Sequence, residues 1–132
     1  MTKAEKSFLF DLLETPSPNG FEMPGQKVWA KYVGEFADSV ECDAYGSTWA
    51  TLKGTSKKVV MLEAHADEIG YMIKYITDDG FLYLDRVGGS DSATGRGRRI
   101  QIMGDKGLVP GIIGNTAIHL RRDSLGTEKA PK

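Results

Sequence analysis

A single cysteine, Cys42, rules out an internal disulfide framework, so a reducing cytosol is the expected compartment. As a nucleophile it lacks an adjacent base, and a buried, structural thiol is the expectation. Charge of one sign is not in excess either. Seventeen basic and eighteen acidic side chains leave a net charge of -1. That balance excludes the basic face a nucleic-acid surface needs and the polybasic cluster of a membrane anchor. No stretch approaches the roughly 20 apolar residues of a membrane helix, and residues 1–13 are too short an apolar run for a secretory signal. A P-loop's Lys-Ser/Thr ending, a Gly-x-Ser-x-Gly elbow and a zinc ribbon are all missing.

What remains is an ordinary globular composition, 40% hydrophobic and 27% charged, sufficient for a packed core. Thr2 and Glu5 have capping-box spacing, and Phe8, Leu9, Leu12 and Leu13 follow at helical period. The run 15–20, Thr-Pro-Ser-Pro-Asn-Gly, stops that helix. A second helix is predicted over 24–36, with Pro24 in its first turn and Val28, Trp29, Tyr32, Val33 and Phe36 on one face.

From residue 39 the period becomes that of strands. Strands are predicted over 39–44 and 47–53, and the unbroken apolar run Val59-Val60-Met61-Leu62 predicts a strand over 57–64 covered on both faces. Two hairpins follow, 69–77 with 81–87 around Asp78-Asp79-Gly80, and 98–103 with 108–113 around 104–107. A short strand is expected over 117–121, and the glycine-rich stretch 88–97 reads as a loop. The grammar changes from α/β to closely spaced strands between Asp67 and Tyr71. The fold class expected is therefore α/β followed by a small β-barrel or β-rich domain. The stretch 123–132 reads as a polar tail.

Chemistry concentrates in Glu63-Ala64-His65-Ala66-Asp67-Glu68, at the C-terminal end of the predicted buried strand, where open α/β sheets place ligands. In an extended backbone His65 and Asp67 share a face. A neutral imidazole there can bind a divalent metal, and the carboxylate beside it can orient the ring or ligate. A hydrogen-bonded histidine at a strand end is the competing reading, because a metal site needs three or four ligands. Glu63 and Glu68 read equally as surface charges or as supporting groups. His119 reads as a half-buried strand residue, Arg96, Arg98 and Arg99 as a solvated face, and the glycines of 88–97 as turn formers.

Taken in order, residues 12–22, Asp43-Ala44-Tyr45-Gly46-Ser47, His65-Ala66-Asp67-Glu68-Ile69-Gly70, Asp79-Gly80-Phe81, Val87-Gly88-Gly89-Ser90-Asp91 and 107–120 resemble the M42 metallo-aminopeptidases. The resemblance covers nearly the whole chain. It implies part of an α/β-sandwich metallopeptidase domain over 1–68, then an inserted β-rich, PDZ-like barrel domain over 69–122, incomplete here and used for self-association. It implies that His65 ligates one metal and that Asp67 is its catalytic acidic partner. Two divalent ions, zinc or cobalt, would act on peptide substrates. The family's other ligands and its glutamate base would lie downstream of Lys132, so the chain alone is expected to be inactive. Two other readings stand beside this one: a non-catalytic self-association module, and a glycosidase, whose paired carboxylates no spacing here identifies. Ser47, where asparagine is common in the family, and the atypical 115–118 bear on subclass and substrate preference.

Overall fold

The computed structural model describes residues 1–115 and 119, which fall into two compact units divided after Gly70. In the first, α1 (Lys3–Glu14) starts at Thr2, whose hydroxyl accepts from the Glu5 amide while Glu5 accepts from the Thr2 amide. This reciprocal cap satisfies two donors that the first helical turn otherwise leaves open. Helix α2 (Met23–Val33) carries Pro24 in its first turn and ends at Val33, capped by Gly34 and three residues short of the predicted end at Phe36. Beyond it the chain tightens, with the Phe36 and Ala37 amides both donating to the Val33 carbonyl. The helices meet through Phe8 and Tyr32, stacked with centroids 4.0 Å apart, and Phe36 packs edge-on against Tyr32 at 5.7 Å.

Strands β1 (Ser39–Cys42) and β2 (Thr48–Thr51) pair antiparallel, with Cys42 opposite Thr48. Asp43 makes the turn by accepting from the Tyr45 and Ser47 amides, both at 2.9 Å, while Gly46 takes a φ of +90°. Cys42 is exposed on this hairpin, which corrects the expectation of a buried thiol.

The predicted central strand over 57–64 is not a strand. Val59, Val60, Met61 and Leu62 are 92%, 84%, 78% and 93% exposed. An apolar run becomes a covered strand only where neighbouring strands take its backbone groups and helices cover its faces. No such neighbour lies among the described residues, whose strands form three separate two-stranded sheets. Val33 is accordingly the one buried hydrophobic side chain in the described part.

In the second unit, β3 (Gly70–Ile76) and β4 (Leu82–Val87) form a hairpin turned at Gly80, φ +82°. Lys74 and Asp85 form an ion pair across it at 3.1 Å. Strands β5 (Arg99–Gly104) and β6 (Gly107–Ile112) pair antiparallel from Gly104 opposite Gly107 to Arg99 opposite Ile112. Between the hairpins, part of the expected loop is the helical turn α3 (Ser92–Gly95), because Asp91 caps it by accepting from the Ala93 amide at 2.8 Å. The sheets are open and no closed barrel forms among the described residues. His119 is exposed, which corrects its half-buried reading. Apart from that residue, the strand expected over 117–121 and the tail 123–132 lie outside the described residues.

Candidate metal-ligand site

The site is built from two segments far apart in sequence, the 15–20 loop and the stretch 65–70. Pro18 and Glu68 form a parallel bridge. Around it Ser17 and Glu68 exchange bonds: the Glu68 amide donates to the Ser17 carbonyl at 3.0 Å, and the Ser17 amide donates to Glu68 Oε1 at 2.8 Å. Ser17 is buried, and its hydroxyl accepts from the Gly25 amide at 3.0 Å and donates to the Thr15 carbonyl at 3.2 Å. The loop is thus fastened both to the start of α2 and to the strand-like segment carrying His65.

On that platform His65 Nδ1 lies 2.8 Å from Asp67 Oδ1 and 3.0 Å from the Asp67 carbonyl oxygen. A carbonyl oxygen only accepts, so Nδ1 is the donor, and in the neutral ring Nε2 keeps its lone pair. The ring is 85% exposed, and that lone pair is accessible to a ligand from solvent. Asp67 Oδ2 accepts from Asn19 Nδ2 at 3.1 Å. The Asn19 amide, and then the bond from His65, hold the Asp67 carboxyl below the usual aspartate range.

The structure brings His65 and Asp67 together, ties Glu68 to Ser17, and leaves Glu63 exposed. Asn19 and Ser17 are the residues that motif reasoning missed. The only sequence signal for them is the Pro-Asn-Gly turn, which says that Asn19 is displayed but not to what.

Does this donor set fit a metal? One imidazole with a free Nε2 and a carboxylate on its other nitrogen fits a single ligand position. Among the described residues no group of three or more His, Cys, Asp or Glu side chains could hold an ion. The described residues therefore do not make a complete metal centre.

The family model for M42 glutamyl aminopeptidase matches residues 46–132. The chain belongs to the M42 family. A lysyl aminopeptidase of Pyrococcus furiosus is 33% identical over 114 residues, covering 86% of this chain and 33% of that protein. Among solved structures, a TET aminopeptidase from a marine-sediment Thaumarchaeota archaeon superposes with a TM-score of 0.85 at 28% identity, covering 91% of this chain and 34% of that one. The TET1 peptidase of Pyrococcus horikoshii, which can assemble into a tetrahedron or a large octahedral shell, gives 0.74 at 33% identity, covering 95% and 36%. The mixed α/β architecture resembles the TET aminopeptidase fold. The M42 chain here spans about a third of the length of the curated relatives it matches. M42 enzymes are metal-dependent.

Proposed function

We propose that this M42 chain supplies one metal ligand, His65, to an aminopeptidase that removes N-terminal residues from peptides, with Asp67 as the acidic partner of that ligand. The observation that carries the reading is the pair of bonds from Nδ1 to Asp67, which leaves Nε2 as a Lewis base. Two divalent ions, zinc or cobalt, would when bound activate a water and polarise the scissile carbonyl. This chain's own part is narrower: Asp67 sets the tautomer of His65 and accepts its Nδ1 proton bond, while the Ser17–Glu68 clasp holds the backbone beneath both. One protein ligand does not hold an ion tightly, so the 132-residue chain by itself is inactive in this proposal.

The exposed run Val59–Leu62 favours part of an aminopeptidase over a self-contained association module, which would bury its most apolar segment. Self-association through a PDZ-like β-rich domain, the domain limits 1–68, 69–122 and 123–132, and a cytosolic location belong to the same proposal. Assembly of the TET1 peptidase into closed shells supports the first of these.

Two measurements test it. Purified 132-residue chain with zinc or cobalt should release no N-terminal residue from aminoacyl substrates; a clear rate abolished by His65→Ala would contradict the inactivity. A polypeptide of family length that contains these residues should hydrolyse such substrates and lose the activity on His65→Ala. Activity undiminished in His65→Ala would overturn the ligand assignment.

A further inference from the structure

Asp67 spends its two carboxylate oxygens on different partners, Oδ1 on His65 at 2.8 Å and Oδ2 on Asn19 at 3.1 Å. A carboxylate with one partner turns easily, because its terminal torsion is broad and roughly twofold. A second bond on the other oxygen selects one orientation. The imidazole needs that selection, since at 85% exposure no packing holds the ring and its setting rests on the bonds at Nδ1.

Asn19 is itself held. The Phe21 amide donates to the Pro18 carbonyl at 2.8 Å, closing a turn in which Gly20 takes a φ of +83°. The Gly20 amide donates to Glu22 Oε1 at 2.6 Å. The turn is joined to the His65 segment through the Pro18–Glu68 bridge. The chemistry of the amide also suits the task. A neutral donor orients the carboxylate without cancelling its charge, so Asp67 still polarises the imidazole it faces; a lysine in its place would weaken that effect.

We propose that Asn19 is a positioning residue for His65, acting through the Asp67 carboxylate to fix the tautomer and orientation of the imidazole. The metal-binding consequence rests on the reading of His65 as a ligand given above; the orienting role does not need a metal.

The test is nitrogen NMR of the His65 ring in the 132-residue chain at fixed pH, for the native protein, Asn19→Ala and Asn19→Asp. The native ring should be mainly the Nδ1–H tautomer. Both variants should lower that fraction, Asn19→Asp the more, because it keeps the shape of the side chain while setting two carboxylates face to face. Backbone amide signals of Ser17, Gly25 and Glu68 should stay in place, showing that the loop is intact. Zinc affinity should fall about tenfold, the low end for a supporting partner of a ligand.

An unchanged tautomer in both variants, with the loop in place, overturns the proposal. Should neither variant fold, the native protein decides: Asn19 side-chain amide protons protected from exchange support the bond, and exchange at the rate of a free surface amide overturns it. Failure of the two readings is separable. If zinc never engages His65 while the Asn19 variants shift the tautomer, the ligand reading falls and the orienting role stands. If zinc binds and His65→Ala abolishes binding while the Asn19 variants change nothing, the orienting role falls alone.

Discussion

Gly70 packs against Pro18 so closely that a Cβ on Gly70 would sit 2.6 Å from Pro18 Cβ. That separation is far inside van der Waals contact, and a rigid pyrrolidine ring cannot move aside as a flexible side chain would. Gly70→Ala should therefore push the 15–20 loop off the His65 segment at a cost of about 1–3 kcal/mol, the usual range for overpacking. Hydrogen exchange at the Glu68 amide, which donates to Ser17, reads the effect directly. Gly54→Ala, with nothing within 4 Å of its added methyl, is the control and should change stability by less than about 0.5 kcal/mol. Equal protection of Glu68 in both variants would contradict the clasp.

Ser17→Ala tests the other side of the same loop. Its hydroxyl is the acceptor for the Gly25 amide at the start of α2, in a buried setting. Removing it leaves that N–H without a partner away from water, which costs about 1–3 kcal/mol. Denaturant unfolding should show the loss, and the Gly25 amide should exchange faster. Ser17→Cys, with a weaker acceptor of similar shape, should fall between. Gly25 tolerates no Cβ, because the Ser17 hydroxyl occupies that space, so Gly25→Ala should be at least as damaging as Ser17→Ala.

The parts of the fold legible in sequence are those whose causes are local. Thr2 and Glu5 cap α1 because three residues separate them, and Gly80 and Gly107 turn their hairpins because positive φ suits glycine. Val59–Leu62 read as a covered strand because composition was right, yet covering is a property of neighbours, not of the run itself. Cys42 was misread for the same reason: residue type gives a tendency to burial, whereas the face of a hairpin decides it. In the site, His65 and Asp67 were legible at two-residue spacing. Asn19 and Asp67 are 48 residues apart, and nothing local in either segment announces that they meet.

The Asp67 carboxyl should titrate below the ordinary aspartate value of about 3.9 in the metal-free chain. Its folded-state pKa is depressed, so the stabilisation it carries is fully present above about pH 4 and disappears as pH falls through the folded value. Carbon NMR of the carboxyl gives the midpoint. Asn19→Ala should raise it, because the bond from Asn19 is the largest single cause, and His65→Ala should raise it as well. An unchanged midpoint in Asn19→Ala would contradict the bond from Asn19.

The run Val59–Leu62 allows opposite expectations to be set for two lengths of the same polypeptide. In the 132-residue chain these side chains are 78–93% exposed, and an apolar patch of that kind binds hydrophobic dyes and promotes association. Val60→Lys should then reduce dye binding and self-association while changing unfolding free energy by less than about 0.5 kcal/mol, as surface substitutions do. In a polypeptide of family length the proposed sheet would take up the run and cover it. There the same lysine would be a charge placed in a core, and the loss should reach several kcal/mol with the charge unpaired. A negligible effect at both lengths would mean that the run stays exposed, and the α/β-sandwich reading of 1–68 would fall with it. A large loss confined to the longer polypeptide is the expected result, because in the proposed α/β sandwich the residues that cover Val60 would be supplied by the longer polypeptide.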